Sequence, residues 1–192
     1  RLDQLRKEAE VAIREGCKHL ILSDKKISDK KVAIPMILAF GAINSNLVNL
    51  GIRGFASIGI QTGEVLDTHS FAVLLGIGAT VINPYLVFDC IYQRYEKKLF
   101  NKFSYEECIH RYIKSVDNGL LKIMSKMGIS VLSSYRGGCN FETVGLSRAI
   151  VAEYFPGMIS RISGIGIFGI ESKIKKLHKK AFQKNISILP IG

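Results

Sequence analysis

The chain has 192 residues and a mass of 21.3 kDa, the size of one ordinary domain, and it is long enough to bury a real core. With 47% hydrophobic and 22% charged residues it reads as globular. No run approaches the roughly 18 uncharged apolar residues of a membrane span, and the opening RLDQLRKEAE has no signal-peptide core, so a cytoplasmic protein without a membrane partner is expected. A net charge of +11 and a pI near 9.6 raise nucleic acid as a partner class. The densest basic run, Lys173, Lys175, Lys176, Lys179, Lys180 and Lys184, nevertheless shares one predicted helix, and a solvated helix face is the favoured reading.

Taken in order, Leu2, Leu5, Ala9, Ala12 and Ile13 mark one face of an opening helix that Gly16 can end before the apolar run His19 to Leu22. Asp24 then sits at a strand's carboxyl end, where open α/β sheets place ligand crevices; a turn or capping carboxylate is the favoured account. Residues 34–50 form a second helix, with Pro35 in its first turn, and 55–60 a buried strand followed by the loop Gln61-Thr62-Gly63-Glu64. A third helix starts near Asp67 or Thr68, the N-cap candidates. His69, near that start, is read as a packed or hydrogen-bonded residue rather than a general base, since no nucleophile motif accompanies it. A very short strand over 80–83 follows, and Pro84 opens a helix through about Lys97.

Ser104 and Glu107 form a capping box for a long helix ending at Met127, before Gly128 in a C-terminal αL cap, with Asn118-Gly119 as a candidate interruption. Residues 129–133 read as a short buried strand, and the turn Tyr135-Arg136-Gly137-Gly138 leads to a helix over 146–155, ended by Pro156-Gly157. Repeated short strands and amphipathic helices predict an α/β fold, a mainly parallel sheet of repeated βα units flanked by helices, in one domain over 1–192.

Three motifs invite a chemical reading. Gly164-x-Gly166-x-x-Gly169 matches a dinucleotide fingerprint, but the acidic residue expected about 20 positions on is missing, because that region reads SILPIG; a glycine-rich turn that permits close packing is preferred. Arg136 beside Gly137 and Gly138 could meet an anion together with backbone amides, although a structural or domain-contact arginine is preferred. Glu106 and Glu107 point to different helix faces and serve as helix-start charges. Cys17, Cys90, Cys108 and Cys139 show neither zinc nor iron-sulfur spacing, and mostly buried free thiols are expected.

The words SKMGIS and SSYRGGCNFETVGLS, together with EGCKHLILSD, KVAIPMILAFGA, DTHSFAVLLGIGAT, NPYL and FPGMISRISGIGIFGI, occur in an order that closely resembles the large, glutamine-dependent subunit of glutamate synthase. The stretch resembles that family's central domain, between the glutaminase domain and the flavin-binding barrel, and the resemblance covers nearly the whole chain. Such enzymes take ammonia from glutamine, pass it through an internal tunnel and aminate 2-oxoglutarate with electrons from FMN, with an iron-sulfur cluster and NADPH or ferredoxin as donor. The resemblance implies a scaffold that holds the glutaminase and FMN synthase domains together, with a reductase subunit as a further partner. No catalytic, cofactor-binding or metal residue carries over to this segment. Asn44-Ser45-Asn46 stands where the family often has histidines, and Lys25 where it often has arginine. The chain opens without Met and closes at ILPIG, as if cut from something longer at both ends. The rival readings are a free-standing flavin- or nucleotide-binding domain and, behind it, a basic nucleic-acid-binding module.

Overall fold

In a computed structural model that describes residues 1–183, the first half of the chain builds a sheet and its covering helices, and the second half is helical. Helix α1 (Leu2–Arg14) buries Ala9 and Ile13 and is followed by Gly16 at φ +95°, a left-handed turn that glycine makes without a Cβ penalty. Next come strand β1 (His19–Ser23), helix α2 (Met36–Asn49), a 3-10 turn at Arg53–Phe55, strand β2 (Ser57–Gln61), helix α3 (Thr68–Ile77), strand β3 (Val81–Asn83) and helix α4 (Tyr85–Glu96). The strands lie in the order β1-β2-β3, all parallel, with Ile21, Gly59 and Val81 in one row and Ser23, Gln61 and Asn83 in the next. This is the expected α/β architecture with a parallel sheet.

Side chains alternate across a strand, so Leu20, Leu22, Ile58, Ile60 and Ile82 share one face, and all of them join the main core. Phe40 and Leu47 of α2 and Leu74 and Ile77 of α3 meet them there. Helix α2 is apolar almost all round because α1, α3 and α7 (Arg148–Tyr154) also pack on it. Helix α5 (Tyr105–Lys126) lies on α3 and α4, and Met124 closes a second cluster with Ala72, Leu75 and Tyr135, the last within the one-turn helix α6 (Leu132–Tyr135). Helix α8 (Ile167–Ala181) completes the described chain.

Three local expectations change. The predicted strand over 129–133 is instead an irregular step into α6, with Val131 and Leu132 exposed; a short apolar run does not distinguish strand from helix by period, and among the described residues no neighbouring strand pairs with it. Asn118-Gly119 does not interrupt α5, because Gly119 is where Thr68 of α3 approaches the helix: a Cβ there would lie 2.6 Å from Thr68 Cγ2. Before α8 the chain makes two isolated parallel bridges, Glu142 to Ile159 and Leu146 to Ile165. Of the four free cysteines only Cys108 is buried, since Cys17 lies in the α1–β1 turn and Cys90 on the outer side of α4.

Candidate functional site

The carboxyl ends of the three strands are the edge at which open α/β sheets place ligands, although the sequential order β1-β2-β3 has no switch point to open a crevice there. Asp24 follows β1 there, and the loop after β2 comes to it. Thr62 Oγ1 donates to Asp24 Oδ2 at 2.5 Å, and the Gly63 amide lies 3.2 Å from both carboxylate oxygens. Thr62 is fully buried, and its oxygen also accepts from the Glu64 amide at 3.1 Å. Glu64 reaches across to α2, where Oε2 accepts from the Met36 amide at 2.8 Å. Pro35 offers α2 no side-chain cap, so a carboxylate from another loop occupies the positive helix end instead. Beside this network Ser23 Oγ donates to Gln61 Oε1 at 2.7 Å.

The electrostatics follow from that crowding. Burial raises the Glu64 carboxyl above its ordinary value of 4.5, opposed by the Met36 amide and reinforced by the Asp24 charge. The Tyr85 phenol is pushed up to about 12, first by burial, then by its hydrogen bond to Asp24 and the neighbouring carboxylates Asp24, Asp89 and Glu64. The Lys25 ammonium stands 5.6 Å from the Tyr85 ring centroid, a cation over an aromatic face. Gly63 leaves room for that phenol, as a Cβ would sit 3.1 Å from its oxygen. The Asp24 carboxylate thus accepts from Thr62 and Gly63 and clamps the loop after β2 to the end of β1, a role across two loops rather than the turn or helix cap expected of it.

A second polar centre lies at the other end of the sheet. Arg53, just before β2, donates from Nε to Asn44 Oδ1 at 2.7 Å, from Nη1 to the Ala56 carbonyl at 2.7 Å and from Nη2 to the Gly78 carbonyl at 2.9 Å. Asn44 in turn donates to the Ile77 carbonyl at 3.2 Å, so Asn44 of the departing triplet ties α2 to the end of α3. Burial and, next, the Arg136 charge lower the Arg53 pKa. The guanidinium stays cationic at the negative end of α3, where it satisfies carbonyls the helix leaves open.

The remaining singled-out residues are dispersed. His69 is exposed in the first turn of α3, edge-on to Phe141 with ring centroids 6.4 Å apart. Arg136 is exposed after α6, and the amides beside it are occupied: Gly137 donates to the Leu75 carbonyl at 3.2 Å and Gly138 to that of Tyr135 at 3.1 Å. Glu107 pairs with Arg111 at 3.0 Å on the first turns of α5. Gly166 is the N-cap residue of α8, while Gly164 lies against the Gly145 backbone so closely that a Cβ would overlap the Gly145 carbonyl. That glycine serves chain crossing rather than phosphate approach. The basic residues from Lys173 to Lys180 are exposed along α8, and Lys175 pairs with Glu171; Lys184 and the SILPIG region lie outside the described residues. No group of three or more His, Cys, Asp or Glu suited to a metal occurs among the described residues, and none of their helices is long and apolar enough to cross a membrane.

Sequence reasoning located Asp24 and the Thr62 loop separately, each at a strand end. It missed their bond, which requires knowing that β1 and β2 are neighbours. It missed Arg53 altogether; the only signal was a lone arginine between two glycines just ahead of a strand.

Comparison with known proteins agrees with the resemblance. Residues 1–147 match the family described as glutamate synthase central domain. The chain is 50% identical over 191 residues to the glutamate synthase [NADPH] large chain of Azospirillum brasilense, covering 100% of this chain and 13% of that one. It is 41% identical over 180 residues to the glutamate synthase [NADPH] large chain of Bacillus subtilis, covering 94% and 12%. It is also 40% identical over 194 residues to the ferredoxin-dependent glutamate synthase of Pyropia yezoensis, covering 95% and 13%. The chain therefore spans about an eighth of the curated relatives it matches, and it belongs to the glutamate synthase central domain family.

Proposed function

We propose that residues 1–192 act as a single connecting domain in a glutamate synthase large chain, holding a glutaminase domain and an FMN-binding synthase domain at a fixed separation. The whole enzyme would convert glutamine, 2-oxoglutarate and reductant into two glutamates, with NADPH or ferredoxin as donor, and this domain would contribute no reacting group. The supporting observation is the polar network at the strand ends. Its carboxylates and hydroxyls are bonded to one another and to backbone amides, as Asp24 is to Thr62 and Gly63 and Glu64 is to Met36. Groups held in this way fix loops, and spending them on a substrate would leave the buried Thr62 without its partner.

The test is Asp24→Ala in the full-length large chain. A connecting role predicts a lower melting temperature, with turnover per folded molecule within about twofold of wild type. A loss of turnover of about a hundredfold or more at unchanged melting temperature would place chemistry at these strand ends and refute the reading.

A further inference from the structure

One face of the sheet is bare among the described residues. In one row across the sheet, Ile21 of β1 is 75% exposed and Val81 of β3 is 61% exposed, while the opposite face carries the core. Parallel sheets are almost always covered on both faces, because apolar strands facing water on one side lose half their burial. The cause of the asymmetry is topological. The crossovers through α2 and α3 step in the same direction along β1-β2-β3, and connections of one hand put both helices on one side.

The bare face also has a shape. Ile21, Gly59 and Val81 are in register, so the two branched side chains stand about 10 Å apart with a glycine between them. A Cβ at Gly59 would meet only the Leu20 carbonyl at 3.7 Å and Ile21 Cγ1 at 3.8 Å, ordinary contacts with open space above. Ser57 continues the small floor of this trough along β2, and the hydrogen-bonded Ser23–Gln61 pair closes it at the carboxyl end. The width suits an α-helix lying along β2 with one bulky apolar side chain over Gly59 and polar residues at its ends.

We propose that this face receives an amphipathic helix from another part of the same large chain, outside residues 1–192. The inference rests on the reading of the chain as one domain of a larger synthase. The occupant follows from length: the matched region is 13% of the Azospirillum brasilense large chain, so most of such a chain is available to supply the missing layer.

The experiment is maleimide labelling of Ile21→Cys in the full-length large chain, read by mass on the tryptic peptide His19–Lys25, which contains no other cysteine. Docking predicts labelling about 50-fold or more slower than in the same chain unfolded in denaturant, at every protein concentration. Labelling within about threefold of the unfolded rate would overturn the proposal, as would protection that vanishes on dilution, since a second copy would then be the occupant. Ile21→Asp gives an independent reading: it lowers the melting temperature by several degrees if the face is covered, and an unchanged value overturns the proposal. Neither readout depends on turnover. Protection at position 21 combined with lost turnover in Asp24→Ala would keep the contact and refute the purely connecting role.

Discussion

Arg53 shows how much of this fold hangs on single polar side chains. Its guanidinium is spread over Asn44, Ala56 and Gly78, three points on α2, the approach to β2 and the end of α3. Lysine would keep the charge but not the planar fork, so Arg53→Lys is expected to destabilise the protein by about 2 kcal/mol, measured by denaturant unfolding. Gly164→Ala is expected to cost about 2 kcal/mol as well, because the added methyl meets the Gly145 backbone rather than a side chain that could turn away. At Glu64 the effect depends on pH. Its folded pKa is raised above 4.5, so over the interval above that value the folded chain binds more protons than the unfolded chain, and stability falls as pH rises through the folded pKa. Glu64→Gln removes that slope, and the melting temperature of the variant relative to wild type is expected to climb between about pH 4 and pH 7. At this scale the sequence was partly legible. Asp24 and Gly164 were visible from their local context, whereas Arg53 and Glu64 act on residues 25 and 28 positions away, and no local pattern announces such partners.

Among the elements, α3 is the one gripped from both ends. Asp67 caps it by accepting from the Ser70 amide at 2.9 Å and the Ser70 hydroxyl at 2.7 Å, and these bonds hold the Asp67 carboxyl below its usual range. At its other end the carbonyls of Leu75, Gly76, Ile77 and Gly78 are met by Gly137, Cys139, Asn44 and Arg53. Tyr135 completes the grip, fully buried and donating to the Ala72 carbonyl at 3.0 Å. Asp67→Ala should cost about 1 kcal/mol as a lost cap, whereas Tyr135→Ala should cost about 4 kcal/mol as a cavity in the second cluster, and calorimetry separates the two. The caps were legible because capping is local: Asp67, Ser104 and Gly128 stand where their side chains or φ values require. The failures were elements whose identity depends on neighbours. The run over 129–133 looks like a strand until it is seen to have none beside it among the described residues, and Gly119 looks like a break until Thr68 is seen to need the space.

At the scale of the whole molecule, the described residues put the covering helices on one side of a sequential parallel sheet, and the proposed docking would supply the second layer. That asymmetry, the internally satisfied polar network at the strand ends and the coverage of about an eighth of each matched relative all suit a domain that works inside a longer chain. The most direct test is the size of the native polypeptide that carries this segment, measured with an antibody against it on a cell extract. The account predicts a band several times larger than 21.3 kDa. A native chain near 21.3 kDa would contradict it, leaving the bare sheet face without a covering layer in its own chain.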